Sequence, residues 1–192
     1  MIMKTRSRCI KIGCASLVGA LLLLFVAAVI FPYQILSGGA WISSHIIFAY
    51  KAVQREIHIW ETLPRAEGGN SGAQARLAWL YFRRHTDAGD RESVKWAEKG
   101  AEQGTIEAMT LLAGHYACGT GTEKNLSVSA KWYLAAAERG DVVSQYYVSR
   151  MYGQGIGVVT NQQTAAYWRK KVEAAMAGCP ACDLPSGGCI DS

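Results

Sequence analysis

Apolar residues in the second half of the chain recur at helical spacing. Ala108, Leu111, Leu112 and Tyr116 form one stripe, and Ala130, Tyr133, Leu134 and Ala137 another. This is the i, i+3, i+4, i+7 pattern of a helix that buries one face. Between the two stripes Gly119-Thr120-Gly121 breaks the chain, and Gly153 to Gly157 breaks it again further on. Gly104 before Thr105, and Gly140 before Asp141, set a residue tolerant of left-handed geometry at one helix end and a capping side chain at the next helix start. The pattern predicts helix pairs.

The pairs repeat. Trp60, Trp96, Trp132 and Trp168 stand 36 residues apart, with Gly68, Gly104 and Gly140 each eight residues after a tryptophan. Ala73, Ala108 and Ser144 make a second column, Leu77, Leu112 and Val148 a third, and Tyr81, Tyr116 and Tyr152 a fourth. These columns step by 35 and then 36, so the first loop is one residue shorter. In the two longer loops Gly119 matches Gly155, Gly121 matches Gly157 and Asn125 matches Asn161. A repeat unit of this length is one supersecondary element that buries its apolar face only by stacking on its neighbours.

The run Tyr152-x-x-Gly155-x-Gly157-Val158-x-x-Asn161-x-x-x-Ala165-x-x-Trp168, with Trp132 to Gly140 and Ser144 before it, resembles the Sel-1-like repeat, a relative of the tetratricopeptide repeat. The resemblance covers about residues 69–175, as units of about 69–103, 104–139 and 140–175. It implies an all-α fold, a right-handed α-solenoid of about three helix pairs. The first unit departs from the pattern, with Arg83-Arg84-His85-Thr86-Asp87 in place of the paired glycines. Upstream, residues 42–67 carry Ile46, Ala49, Tyr50, Val53, Ile57 and Trp60 at helical spacing and end at Pro64. Trp60 falls in the tryptophan register, so this helix reads as a capping half-repeat; an unrelated linker helix is the alternative.

Composition adds a second segment. Lys4, Arg6, Arg8 and Lys11, in residues 1–11, precede an uncharged run from Ile12 to Phe31. Its 20 residues match the ~20 a helix needs to cross a ~30 Å hydrocarbon layer. Basic residues before the span place the N-terminus in the cytoplasm and the repeats beyond the membrane, with Phe31, Tyr33 and Trp41 as interface anchors. For a bacterial source this predicts a single-pass inner-membrane protein facing the periplasm, reached by way of an N-terminal transmembrane helix. Export after signal-peptide cleavage at Ser37-Gly38-Gly39-Ala40 is the alternative, though the apolar run exceeds the usual 7 to 15 residues by roughly a third or more. Most of the net charge of +5 belongs to those four basic residues, and the rest holds 16 basic against 15 acidic side chains. The basic pI is therefore a topology signal and excludes a nucleic-acid footprint.

Motifs for chemistry are sparse. His45, His58, His85 and His115 are scattered without metal-site spacing, no Gly-x-Ser-x-Gly elbow occurs, and the glycines at 153–157 lack the Gly-Lys-Ser/Thr of a phosphate loop. No catalytic residue, cofactor, metal or small-molecule substrate is predicted. Cys9 and Cys14 sit on or in the membrane segment, while Cys118, Cys179, Cys182 and Cys189 lie beyond it. Four exported thiols are expected to pair as disulfides, in any of three connectivities, two of the cysteines framing Cys179-Pro180-Ala181-Cys182 in the tail, residues 176–192. Zinc would need Cys118 and Cys189 to converge on that pair, and a redox motif would need a helix after it.

By resemblance to tetratricopeptide relatives, the positions three, six, ten and thirteen residues after the boundary glycine line the concave face. They nominate Trp79, Phe82, Glu107, Thr110, Tyr146 and Arg150 for partner binding, with Tyr146 and Arg150 one turn apart as the strongest pair and burial between repeats the alternative for Trp79 and Phe82. The resemblance implies a protein-protein interaction adaptor. Two other readings follow from it: an immunity protein neutralising a secreted antibacterial effector, such as a type VI secretion lipase, and a cysteine-rich protein that binds or hydrolyses β-lactams. The second is the weaker, because no nucleophile has an evident base.

Overall fold

Glycines and short polar side chains mark where helices stop and start. In the computed structural model residues 40–177 are described, with side chains from residue 47. Seven helices and no strand occupy them: α1 (Ala40–Glu67), α2 (Ser71–Phe82), α3 (Asp87–Glu102), α4 (Ile106–Cys118), α5 (Leu126–Glu138), α6 (Val142–Gln154) and α7 (Gln162–Ala177). The chain divides inside α1 into two compact units, Met1–Glu61 and Thr62–Ser192. Among the described residues no helix is long and apolar enough to cross a membrane. The span expected at 12–31 lies outside them.

In the second unit, α2–α3, α4–α5 and α6–α7 form three antiparallel pairs. Each helix packs on its neighbours in sequence, and α2 also touches α4. The all-α repeat architecture is therefore present. Buried alanines let the helices approach closely: Ala78, Ala97, Ala108, Ala113 and Ala136 are fully enclosed. At Gly100 even alanine is too large, because a Cβ there would stand 2.9 Å from that of Ala108. Larger side chains fill the spaces left, with Tyr133, Val148, Met151 and Trp168 in one cluster with Ala113, Ala117, Ala130 and Ala137.

The helix ends repeat as faithfully as the cores. Asn70 caps α2 through Ala73 N–H at 2.8 Å, Asn125 caps α5 through Val128 N–H at 3.1 Å, and Asp141 caps α6 through Ser144 N–H at 2.8 Å. In the second helix of the first two pairs a buried serine reaches across to the first helix: Ser93 Oγ donates to Ala78 O at 2.9 Å and Ser129 Oγ to Ala113 O at 2.8 Å. The second glycine of each longer loop presses on the preceding pair. A Cβ on Gly121 would clash with the backbone of Asp90, and one on Gly157 with that of Leu126, 36 positions further on. The first pair connects instead through residues 83–86, where His85 takes the left-handed conformation at φ 51°.

The upstream helix corrects three details. The boundary glycine with positive φ is Gly69 (87°), in step with Gly104 (88°) and Gly140 (96°), and not Gly68. The same offset explains Trp60. Because the first step is 35 residues, the column of Trp96 passes through position 61, and one residue is about 100° around a helix. Trp60 is accordingly 40% exposed, whereas Trp96 and Trp168 are 8% and 6% exposed. Finally, α1 does not end at Pro64. Proline removes one backbone donor, and the helix runs on to Glu67, where Gly68 N–H donates to Pro64 O at 3.0 Å. Its last turn then closes as α3 and α5 do: Gly69, Gly104 and Gly140 N–H donate to the carbonyls of the buried Ala66, Ala101 and Ala137.

Candidate functional site

Two grooves use the exposed edges of the first helices. In the first, Gly72, Ala75, Arg76 and Trp79 lie along one side of α2, with Arg76 four residues after Gly72 and Trp79 four after Ala75, facing Thr105 and Glu107 at the start of α4 across a cavity of about 390 Å³. Gly72 and Ala75 are too small to fill the space, so it stays open. Trp79 stands beside it, 47% exposed. Its ring meets Phe82 edge-on at 5.8 Å, and Phe82 meets His115 edge-on at 5.4 Å. Phe82 thus serves as the packing support of the tryptophan. Arg76 and Glu107 are exposed, and neither makes an ion pair among the described residues.

The second groove, of about 520 Å³, lies between α6 and α7. Tyr146, Arg150, Arg169 and Glu173 give its polar rim, and Val172 and Met176 its apolar part. Arg150 lies over the Tyr146 ring at 5.9 Å, and Tyr146 leans on Tyr147 at 5.6 Å. At one end of the groove Gln162 Nε2 donates to Gly153 O at 2.9 Å, holding the start of α7 level with the end of α6.

Four of the six residues nominated from the sequence line the two grooves, and Phe82 packs behind Trp79. Trp79 and Glu107 share the first groove; Tyr146 and Arg150 share the second. Thr110 is in neither, because its hydroxyl bonds to Asp141 Oδ2 at 3.2 Å and to Ser144 Oγ at 3.1 Å, tying α4 to the start of α6. Arg76 escaped the positional rule, which selects single ridge positions and passes over the flank of the ridge.

One juxtaposition was invisible in the sequence: Ser93 Oγ and His115 Nε2 lie 2.8 Å apart. This resembles a nucleophile and its base. The pair is sealed, however, with Ser93 at 0% and His115 at 1% exposure, and the serine proton is committed to Ala78 O. No substrate reaches it, and it acts as a packing contact. Burial depresses the His115 pKa, against the opposing effects of Thr120 and Asp90. Its only advance sign was that it stands in the column where the third pair has Met151. Burial, first, and the neighbouring Tyr147 and Asp141 push the Tyr133 phenol far above its ordinary range, so it stays protonated.

No three His, Cys, Asp or Glu side chains among the described residues converge on a metal site. Cys118, at the end of α4, is disulfide-bonded. Cys179, Cys182 and Cys189 lie outside the described residues.

A family model described as Sel1 repeat matches residues 71–105, 106–141 and 142–171. Two solved structures are similar. A Sel1 repeat protein from Oxalobacter formigenes is 33% identical, with 60% of this chain and 87% of that one covered and a TM-score of 0.54. The protein c5321, a protective antigen of uropathogenic Escherichia coli strains displaying an SLR fold, is 30% identical at a TM-score of 0.58. That match covers 63% of this chain but only 26% of c5321. Comparison with curated proteins returned no match.

Proposed function

The chain belongs to the Sel1 repeat family, and from that premise we propose that it is a membrane-anchored adaptor whose repeats face the periplasm and grip a protein partner in the groove beside Trp79. Sel1 repeats generally mediate protein-protein interactions. The observation that carries the reading is the exposed Trp79, braced by Phe82 and flanked by one basic and one acidic side chain over a floor of glycine and alanine. A rigid aromatic side chain costs little entropy to immobilise, and aromatic and arginine side chains dominate interface energetics. The fitting partner is a protein segment with an apolar side chain against the indole and a carboxylate within reach of Arg76. Residues 12–31 supply the anchor in this reading, and the concave face of the stack is the binding face.

The test is quantitative capture of partners by the full-length protein in membranes, comparing wild type with Trp79→Ala. Loss of an interface tryptophan costs on the order of 2 kcal/mol, or roughly thirtyfold in affinity, so the variant should release the partner. Capture of the same proteins with equal strength would remove this groove from the function.

A further inference from the structure

On the reading that a protein partner sits beside Trp79, we propose that Arg76 and Glu107 select its sequence: the bound segment carries an acidic residue between a basic one and an apolar one. The groove is there because this interface lacks a tie that the next one has. Between α4 and α6, the Thr110 hydroxyl bonds to Asp141 Oδ2 and Ser144 Oγ. One repeat earlier the same three columns hold Ala75, Thr105 and Ala108. Two of these side chains have no hydrogen-bonding group, so the polar seam cannot form. The neighbouring column is reduced as well, with Gly72 where α4 has Glu107 and α6 has Val143. A cavity of about 390 Å³ takes the place of the seam.

Three side chains stand along this opening at different levels. Gly72 and Glu107 are one repeat step of 35 residues apart, so Glu107 comes in level with the start of α2. At a rise of about 1.5 Å per helical residue, Arg76 lies about 6 Å further along and Trp79 about 4.5 Å beyond Arg76. All three are exposed, and neither charge has an ion-pair partner among the described residues. From the helix starts onward the order is therefore acid, base, aromatic.

That order discriminates by repulsion as much as by attraction. The planar guanidinium of Arg76 takes a carboxylate through two parallel hydrogen bonds, and Glu107 takes an ammonium or a guanidinium. A cation could otherwise stack on the indole. Arg76, one helical turn away, opposes it there and reserves Trp79 for an apolar group. Glu107 likewise turns away an acidic residue at its own end. The rim has no net charge, so a uniformly acidic or uniformly basic segment always meets one like charge. The segment that satisfies every position reads basic, acidic, apolar, in either chain direction.

Random peptides displayed on phage, selected on the full-length protein in detergent and counter-selected on Trp79→Ala, supply the probe. The selected peptides should carry the acidic residue between the basic and the apolar one. Against the double variant Arg76→Glu, Glu107→Arg, whose substitutions are both at exposed positions, a selected peptide should weaken at least about tenfold, because both rim contacts become repulsive. The same peptide with its acidic and basic residues exchanged should bind the variant as the original binds wild type, which also shows that the variant is folded. Equal binding of one peptide to both proteins, loss without that recovery, or selected peptides with no fixed order of charges overturns the selection rule and leaves the groove standing as a partner site. A selection that yields no peptide dependent on Trp79 overturns both.

Discussion

His115, on α4, meets side chains of α2 and α3 and the loop that follows its own helix. Its Nε2 faces Ser93 at 2.8 Å and its Nδ1 faces the Thr120 carbonyl at 2.8 Å and hydroxyl at 3.0 Å, while Phe82 abuts the ring. The two neutral tautomers use these contacts differently: Nδ1–H donates to Thr120 O and leaves Nε2 as the acceptor facing Ser93 Oγ, whereas Nε2–H donates to Ser93 Oγ and leaves Nδ1 to accept from the Thr120 hydroxyl. Burial lowers the folded-state pKa below the ordinary 6.5, despite the backbone carbonyl of Thr120 and the charge of Asp90. The unfolded chain then binds more protons than the folded one as the pH drops below about 6.5. Stability is therefore full above that value and declines beneath it, by no more than about 1.4 kcal/mol per pH unit. Thermal unfolding between pH 7.5 and 5.5 should show that decline in wild type and a flatter profile in His115→Met, which installs the residue that the third pair carries there. Equal profiles would mean that the imidazole is already free to ionise in the fold.

At the scale of the element, helix starts differ in how they are secured, and the difference is measurable. Asp141 caps α6 and also accepts from Thr110, whereas Thr105, at the equivalent place before α4, makes no side-chain cap bond. Asp141→Ala should therefore cost about 1–2 kcal/mol in denaturant unfolding, and Thr105→Ala well under about 0.5 kcal/mol. Similar losses would contradict the assigned caps. These helix ends were largely legible in the sequence, because glycine, asparagine and aspartate act locally and their columns repeat. The upstream helix was not legible in the same way. The tryptophan spacing of 36 carried Trp60 into register, but the alanine and glycine columns step by 35 there, and burial of Ala66 follows the latter. A helix-breaking proline also misplaced the end of α1, since a lost donor is tolerated where the following turn closes normally.

Across the second unit, the stack leaves exposed aromatic and charged side chains at the edges of the first helices, and sequence position located them better than it judged their use. Trp79 and Glu107, nominated by the tetratricopeptide resemblance through their position after the boundary glycine, are both exposed beside the first groove. The commitments of Thr110 and Phe82 depend on partners 31 and 33 residues away along the chain, which no local pattern encodes. The Ser93–His115 contact spans 22 residues and was hidden for the same reason.

The central claim, that the groove beside Trp79 receives a protein partner, is tested most directly by placing a photoreactive amino acid at position 79 or at the 87% exposed Val159 and irradiating intact cells. A discrete protein adduct from position 79, absent from position 159, is the predicted result; no adduct from 79, or the same adducts from both positions, would contradict it.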